Sequence, residues 1–318
     1  MNHIIRVLIL LFFSSNISWS QSIEQQHILN SKHLSEDRII SVSLPAAYEV
    51  SEKSYPVLYV LDGEYIFSYA RGAVDFLSND FGYLPEMIVV GIPNTHRYRD
   101  MYVTFNENDS FYPFIQFLEK EVFPFINSKY RTNGFDMLYG WSSGSAICTY
   151  FLATRPQILD GYILTGSGIG RTSGATLEKQ LSENPFKQKT FLYVNVEDEA
   201  PRQKSFLKYQ SIVESSNADN LVSKFEIAKN TGHVQAMSVG LYAGLKFIFA
   251  DFYIPDEVTL KGVEAIKEYY SSLKEVYGFE FDIPMGAINE SASILANNDQ
   301  QSTAIELLLY GTKIHPYS

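Results

Sequence analysis

The sequence predicts an α/β fold: a doubly wound, mostly parallel sheet followed by a small helical extension. Three observations predict it. Short, near-continuous Val/Ile/Leu/Tyr runs recur between Asp37 and Gly232, the pattern of strands covered on both faces. Segments with an apolar helical face lie between those runs, which is the alternation of a parallel sheet wrapped by helices. Beyond residue 254 the strand pattern stops and only helical periodicity continues.

The elements follow in order. Residues 1–20, "MNHIIRVLILLFFSSNISWS", carry one Arg, an apolar stretch from Val7 to Phe13, and Ser18-Trp19-Ser20 before Gln21. That is the layout of a cleaved export signal, and the apolar stretch is too short to span a bilayer. With no cysteine near the cut, a lipid anchor is not expected, and the mature chain is expected in the periplasm or outside the cell. Residues 21–254 read as one domain. "DRIISVSLPAAY" alternates as its first strand, with His27 and His33 before it. "YPVLYVLDG", "EMIVVGIPN", "FDMLYG", "GYILTGSG", "TFLYVNVE" and "VSKFEIAKNTG" are the further strands. "SFYPFIQFLEKEVFPFINSKY", "AICTYFLATRP", "RQKSFLKYQSIVESS" and "SVGLYAGLKFIFADFY" are the helices between them. Residues 255–318 form a helical segment. Ala292, Leu295, Ala304, Leu308 and Pro316 fall near tetratricopeptide spacing, but one copy cannot form a stable solenoid. A helical cap on the main domain, open to protein contact, is the preferred reading.

Composition narrows the function classes. Of 318 residues, 46% are hydrophobic and 19% charged, which excludes broad disorder. A net charge of -11 gives no attraction to phosphate backbones, so nucleic acid is not an expected partner. The 22 Tyr and 22 Phe suit a thick core first and a ring-lined cleft second. No later run is long enough for a transmembrane helix. Cys148 is the only cysteine, so no intrachain disulfide forms. It falls in a helical pattern with no histidine beside it in sequence, and an inert buried thiol is expected.

The chemistry centres on Gly140-Trp141-Ser142-Ser143-Gly144. A strand leads into this turn and a helix leaves it, which lifts the Ser142 hydroxyl above the sheet edge. Both flanking glycines are expected to be required, because side chains there would meet the neighbouring strand or helix. A serine hydroxyl needs a base to take its proton. Six histidines are present. His3 is in the signal, His27 and His33 precede the sheet, and the order serine, acid, histidine along the chain excludes His96. His315 lies in the helical tail. His233, in the loop leaving the last strand, remains as the base. The acid that orients it should follow "FLYVNVEDEAP", where Glu197, Asp198 and Glu199 are candidates. Glu197 falls at the strand end, so Asp198 and Glu199 are better placed, and nothing in the residues separates those two. Developing charge on a carbonyl oxygen needs fixed donors. The backbone N–H groups of Ser143 and Glu64 are the candidates, the latter in the turn Asp62-Gly63-Glu64. No phosphate loop and no metal-ligand spacing is present, so neither cofactor nor metal is expected.

These pieces resemble the putative-esterase family of α/β-hydrolases, which includes esterase D-type enzymes, ferric-siderophore esterases, feruloyl esterases and mycolyltransferases. The resemblance rests on "YPVLYVLDGEYIF", "IVVGIPNTHRYRDM", "FLEKEVFPFINSKYRT", "YGWSSGSAICTYF" and "TGHVQAMSVGLYAGLKFIF", in order across most of residues 35–255. It extends to members with a trailing helical, repeat-like segment. It implies an α/β-hydrolase fold, Ser142 as nucleophile, His233 as base, and the amides of Glu64 and Ser143 as oxyanion donors. It also implies Glu199 as the acid, with Asp198 the alternative. The chain departs from the family at Ser145 and Glu197, where relatives often carry glycine.

The expected function is an exported serine esterase acting on a small-molecule carboxylic ester through an acyl-enzyme. Acyl transfer to an alcohol is the alternative within enzymes. A silent hydrolase-fold binding module is the alternative outside them. "NTHRYRDMYVTFNENDSFYPF" should border the cleft. Arg97 and Arg99 there either hold an anionic or aromatic acyl group or form surface ion pairs.

Overall fold

The computed structural model describes residues 22–103, 112–166, 174–183, 185–216 and 218–316; the expected export signal at 1–20 lies outside them. Eight strands form one sheet in the order β1-β2-β4-β3-β5-β6-β7-β8. They are β1 (Ile23–Ser31), β2 (Glu36–Leu44), β3 (Tyr55–Leu61), β4 (Ile88–Ile92), β5 (Thr132–Trp141), β6 (Gly161–Thr165), β7 (Thr190–Glu197) and β8 (Leu221–Ala228). Strands β3 to β8 are mutually parallel, while β1 and β2 form an antiparallel hairpin whose β2 runs antiparallel to β4. The sheet is the mostly parallel α/β architecture expected.

The expectation that the sheet begins at Asp37 is corrected. Residues Ile23–Ser31 already form a strand whose burial alternates residue by residue. Its outer face carries Glu24, Gln26 and Ile28, so it lacks the continuous apolar run that marks the inner strands. His27 therefore sits within β1, with its ring nitrogen 2.5 Å from the Tyr130 hydroxyl, and His33 lies in the hairpin turn.

Every residue of β3 is buried, as is every residue of β7. Successive side chains of a strand point to opposite faces, and two cores follow. Val57, Tyr59 and Leu61 enter one; Leu58 and Val60 enter the other. The first core is covered by the helical stretch 113–129, here α2, by α3 (Ser143–Thr154), α4 (Gly174–Glu183) and α5 (Ala200–Ser215). Helix α2 starts at Pro113, where the missing N–H costs nothing. It carries a π turn at Leu118–Val122, just before Pro124, whose ring cannot accept the carbonyl of residue 120 in α geometry. The second core is covered by α1 (Gly63–Asp75) and α6 (His233–Ile248).

The C-terminal helices α7 (Val263–Ser272), α8 (Met285–Asn297) and α9 (Gln301–Ile314) join that second core. Ile266, Tyr270, Tyr277, Ile288, Leu295 and Leu307 are buried in the same cluster as Leu58 and Val60. Of the residues at repeat spacing, Ala292, Leu295 and Ala304 are buried, whereas Leu308 is 40% exposed. Among the described residues, no single helix is long and apolar enough to cross a membrane.

Candidate active site

Strand β5 ends at Trp141 and α3 begins at Ser143, leaving Ser142 alone at the corner with φ 55 and ψ -113. A side-chain-bearing residue at positive φ costs roughly 1–3 kcal/mol and persists only where its surroundings enforce it. The enforcement is visible. The Ser142 amide donates to the Thr165 carbonyl at 2.8 Å. Ser145, fully buried, holds its hydroxyl 3.0 Å from the carbonyls of both Gly140 and Thr165. This hydroxyl ties the elbow to β6.

The two glycines are not equivalent. A Cβ on Gly140 would press into the backbone carbonyl of Gly144 and lie 2.8 Å from Cys148 Sγ. A Cβ on Gly144 would meet nothing closer than Asp62 Oδ2 at 3.6 Å. Only the first glycine is sterically required, which corrects the expectation for the second. Cys148 is fully buried, and desolvation pushes its thiol far up, away from the reactive thiolate.

His233 is the first residue of α6 rather than a loop residue. Its Nε2 lies 3.1 Å from Ser142 Oγ and its Nδ1 lies 2.7 Å from Oε1 of Glu197. An ionised carboxylate only accepts, so Nδ1 carries the hydrogen and Nε2 presents its lone pair to the serine. The ring packs against Trp141 with centroids 4.9 Å apart, and the Trp141 indole N–H donates to the His233 carbonyl at 2.9 Å. Gly166, at φ 71, backs the imidazole; a Cβ there would stand 2.9 Å from Cε1 and 3.0 Å from Nδ1.

The structure places a different carboxylate against the imidazole from the Glu199 or Asp198 expected. Glu199 sits at the N-cap of α5 with its side chain 54% exposed, and its only described ion pair is a 3.6 Å approach to Arg202. Asp198 is exposed and accepts from Gln203. Glu197 is the last residue of β7, paired in register with Ala228, and fully buried. The chain turns away from the sheet directly after it, so residues 198 and 199 point to solvent while the strand-terminal side chain faces the imidazole. Arg202, which the sequence reading did not single out, forms an ion pair through Nε with the same Oε1 at 2.6 Å. Its position, one turn into the helix after the strand, was the available signal.

Glu64 is the second residue of α1 and Ser143 the first of α3. Amides in a helix's first turn have no intrahelical acceptor, so both are geometrically suited to an external oxygen. The turn before α1 is anchored by Asp62, fully buried at φ 55. Its carboxylate is held by Arg97 through Nε at 2.7 Å and Nη2 at 2.9 Å, and by Asn94 at 2.6 Å. Arg99 pairs with Glu36 and Asp100. Both arginines are therefore ion-paired within the protein. Among the described residues, no three His, Cys, Asp or Glu side chains gather as a metal-holding group.

Residues 31–240 match the model of a family described as putative esterase. Comparison with curated protein sequences gave no match. Among solved structures, an IroE-like serine hydrolase from Shewanella oneidensis superposes with a TM-score of 0.71 at 23% identity, covering 91% of this chain and 99% of that one. A Capnocytophaga ochracea protein described as uncharacterised gives 0.69 at 15% identity, covering 92% and 84%. The siderophore hydrolase EstB of Aspergillus nidulans gives 0.57 at 20%, covering 73% and 96%. At these identities the likeness speaks to the fold alone, and the first two of these overlaps extend over more than nine-tenths of this chain. The family match spans well over half the sequence, and the chain belongs to the putative esterase family.

Proposed function

We propose that this chain is an exported serine esterase that hydrolyses a small-molecule carboxylic ester through an acyl-enzyme, with Ser142 as nucleophile, His233 as base and Glu197 as acid. The observation that carries the reading is one continuous line of contacts. Ser142 Oγ lies 3.1 Å from His233 Nε2, and His233 Nδ1 lies 2.7 Å from a fully buried carboxylate. Export rests on the composition of residues 1–20.

The steps follow from the donors and acceptors. His233 Nε2 takes the Ser142 proton as Oγ bonds to the ester carbonyl carbon, and Glu197 stabilises the resulting imidazolium through the Nδ1–H. The carbonyl oxygen gains negative charge, which the amides of Glu64 and Ser143 receive. When the tetrahedral species collapses, its C–O bond to the alcohol breaks and His233 returns the proton to the departing oxygen. Water then repeats the sequence on the acyl-serine, releasing the acid and restoring the Ser142 hydroxyl.

Related folds include siderophore hydrolases and a ferulic acid esterase by their descriptions. The test is turnover of para-nitrophenyl, feruloyl, thioester and siderophore-lactone substrates by the wild type, Ser142→Ala and His233→Ala. Each variant should retain only the binding and oxyanion contribution, roughly 10³–10⁴ over water. Near-normal turnover in either would refute the assignment.

A further inference from the structure

The proposed reaction requires three separate chain segments to hold their groups in mutual register. Glu64 follows the turn at Asp62, Ser142 follows Trp141, and His233 opens α6. We infer that Arg97 is a positioning residue that clasps these segments together through Asp62 and Trp141, and so sets the geometry of the oxyanion site rather than contacting substrate. The inference rests on the esterase reading.

The contacts are specific. Two guanidinium nitrogens of Arg97 grip both oxygens of Asp62, at 2.7 and 2.9 Å. Nη2 also donates to the Trp141 carbonyl at 3.1 Å, the peptide oxygen immediately before Ser142. The same guanidinium lies 5.2 Å from the Trp141 ring centroid, and that indole donates to the His233 carbonyl. One planar cation therefore bridges the turn that carries Glu64, the elbow that carries Ser142 and, through Trp141, the helix start that carries His233. A lysine cannot do this, because its single ammonium lacks the fork that meets a carboxylate and a carbonyl together.

Both ends of the clasp are rigid. Asp62 is fully buried and held at φ 55, a conformation that needs enforcement. Arg97 begins a single helical turn, Arg97–Asp100, whose buried Asp100 pairs with buried Arg38 of β2 at 2.9 Å. Arg38 in turn donates to the carbonyl of Pro93. Asn94 closes the other side, donating to Asp62 and to both carboxylate oxygens of Glu64. Both Asp62 oxygens are engaged by Arg97, so its charge is committed within the protein.

The test compares the full-length wild type with Arg97→Lys, Asp62→Asn and the double variant. Readouts are kcat and KM on para-nitrophenyl acetate, the second-order rate of fluorophosphonate labelling, and Tm. The clasp predicts that kcat and the labelling rate fall together by roughly 10²-fold in each single variant, the scale of a 1 Å misplacement. KM should stay within about threefold, since ground-state binding is untouched. The double variant should be no slower than the slower single, because both changes break one unit. A rise in KM at unchanged kcat would make Arg97 a substrate contact and overturn the inference. So would multiplying single effects, or a loss of kcat that vanishes at a temperature where the variants are fully folded. Should Arg97→Lys not fold, Asp62→Asn, which keeps the side chain's shape, carries the same decision. A wild type that neither turns over esters nor takes the probe removes the esterase reading and this inference with it. An active wild type with an equally active Arg97→Lys removes this inference alone.

Discussion

The carboxylate of Glu197 lies 2.7 Å from His233 Nδ1 and is fully buried, whereas Glu199, two residues on, is mostly exposed. Glu197→Gln keeps the side chain's size but removes the negative charge and adds an amide N–H that can donate to Nδ1 and so select the unproductive imidazole tautomer. We expect kcat to fall roughly 10²–10⁴-fold, and Glu199→Gln and Asp198→Asn to stay within about twofold, as solvated loop positions should. Steady-state kinetics on the three purified variants decides between the two carboxylates.

Arg202 shares Glu197 Oε1 with His233, at 2.6 Å. Removing this contact leaves the Glu197 carboxylate held by His233 alone among the side chains described around it. Arg202→Met should therefore reduce kcat/KM by about tenfold, the scale of losing one orienting contact. An unchanged kcat/KM would show that Arg202 does not act through Glu197.

Gly166 gives the imidazole its space. In Gly166→Ala the new methyl would stand about 3 Å from two ring atoms, and the backbone sits at φ 71. The ring must shift, and a shift near 1 Å costs roughly 10²-fold in kcat. The variant's Tm separates this local effect from general unfolding, since strain at one positive-φ site costs about 1–3 kcal/mol.

A pH effect on stability arises far from the site. Burial, and then the charge of Asp160, raise Asp136 from 3.8 to about 7, and burial raises Asp160 from 3.8 to about 6. The two are linked where the Asp136 amide donates to Asp160 at 2.8 Å. Raised carboxyl values mean that the folded chain binds protons which the unfolded chain releases. Their contribution is full below the unfolded value and is lost as pH rises through about 6 to 7. Asp136→Asn should flatten the fall in Tm between about pH 4 and 7, and should be more stable than wild type at the upper end by on the order of 1–3 kcal/mol. A wild-type Tm that falls no more steeply than the variant's would contradict this.

The inner strands β3, β4, β6 and β7 were legible because every residue of each is buried, so that they read as continuous apolar runs, as "YPVLYVL" and "TFLYVNV" do. Strand β1 was missed because one of its faces is open and polar residues stand on both faces, Glu24 and Gln26 outward and Gln25 and His27 inward. The residues at the elbow and His233 were legible because chain order and strand-to-helix context confine them to few positions. The acid was not, because the decisive quantity is where β7 stops relative to its side-chain alternation. One residue of strand length reverses which carboxylate points inward. Arg97 and Arg202 were opaque for a related reason. A surface arginine and an internal clasp look alike until the partner carboxylates, 35 and 5 residues away in sequence, are brought to them by the sheet.

The central claim is that His233 and Glu197 make the hydroxyl of Ser142 nucleophilic. Its most direct measurement is reaction of the folded protein with a fluorophosphonate, followed by digestion and mass mapping of the adduct. One adduct per chain on the peptide containing Ser142, abolished in Ser142→Ala and strongly slowed in His233→Ala and Glu197→Gln, is the predicted result. A well-folded wild type that takes no label, or one labelled at another residue, would contradict it.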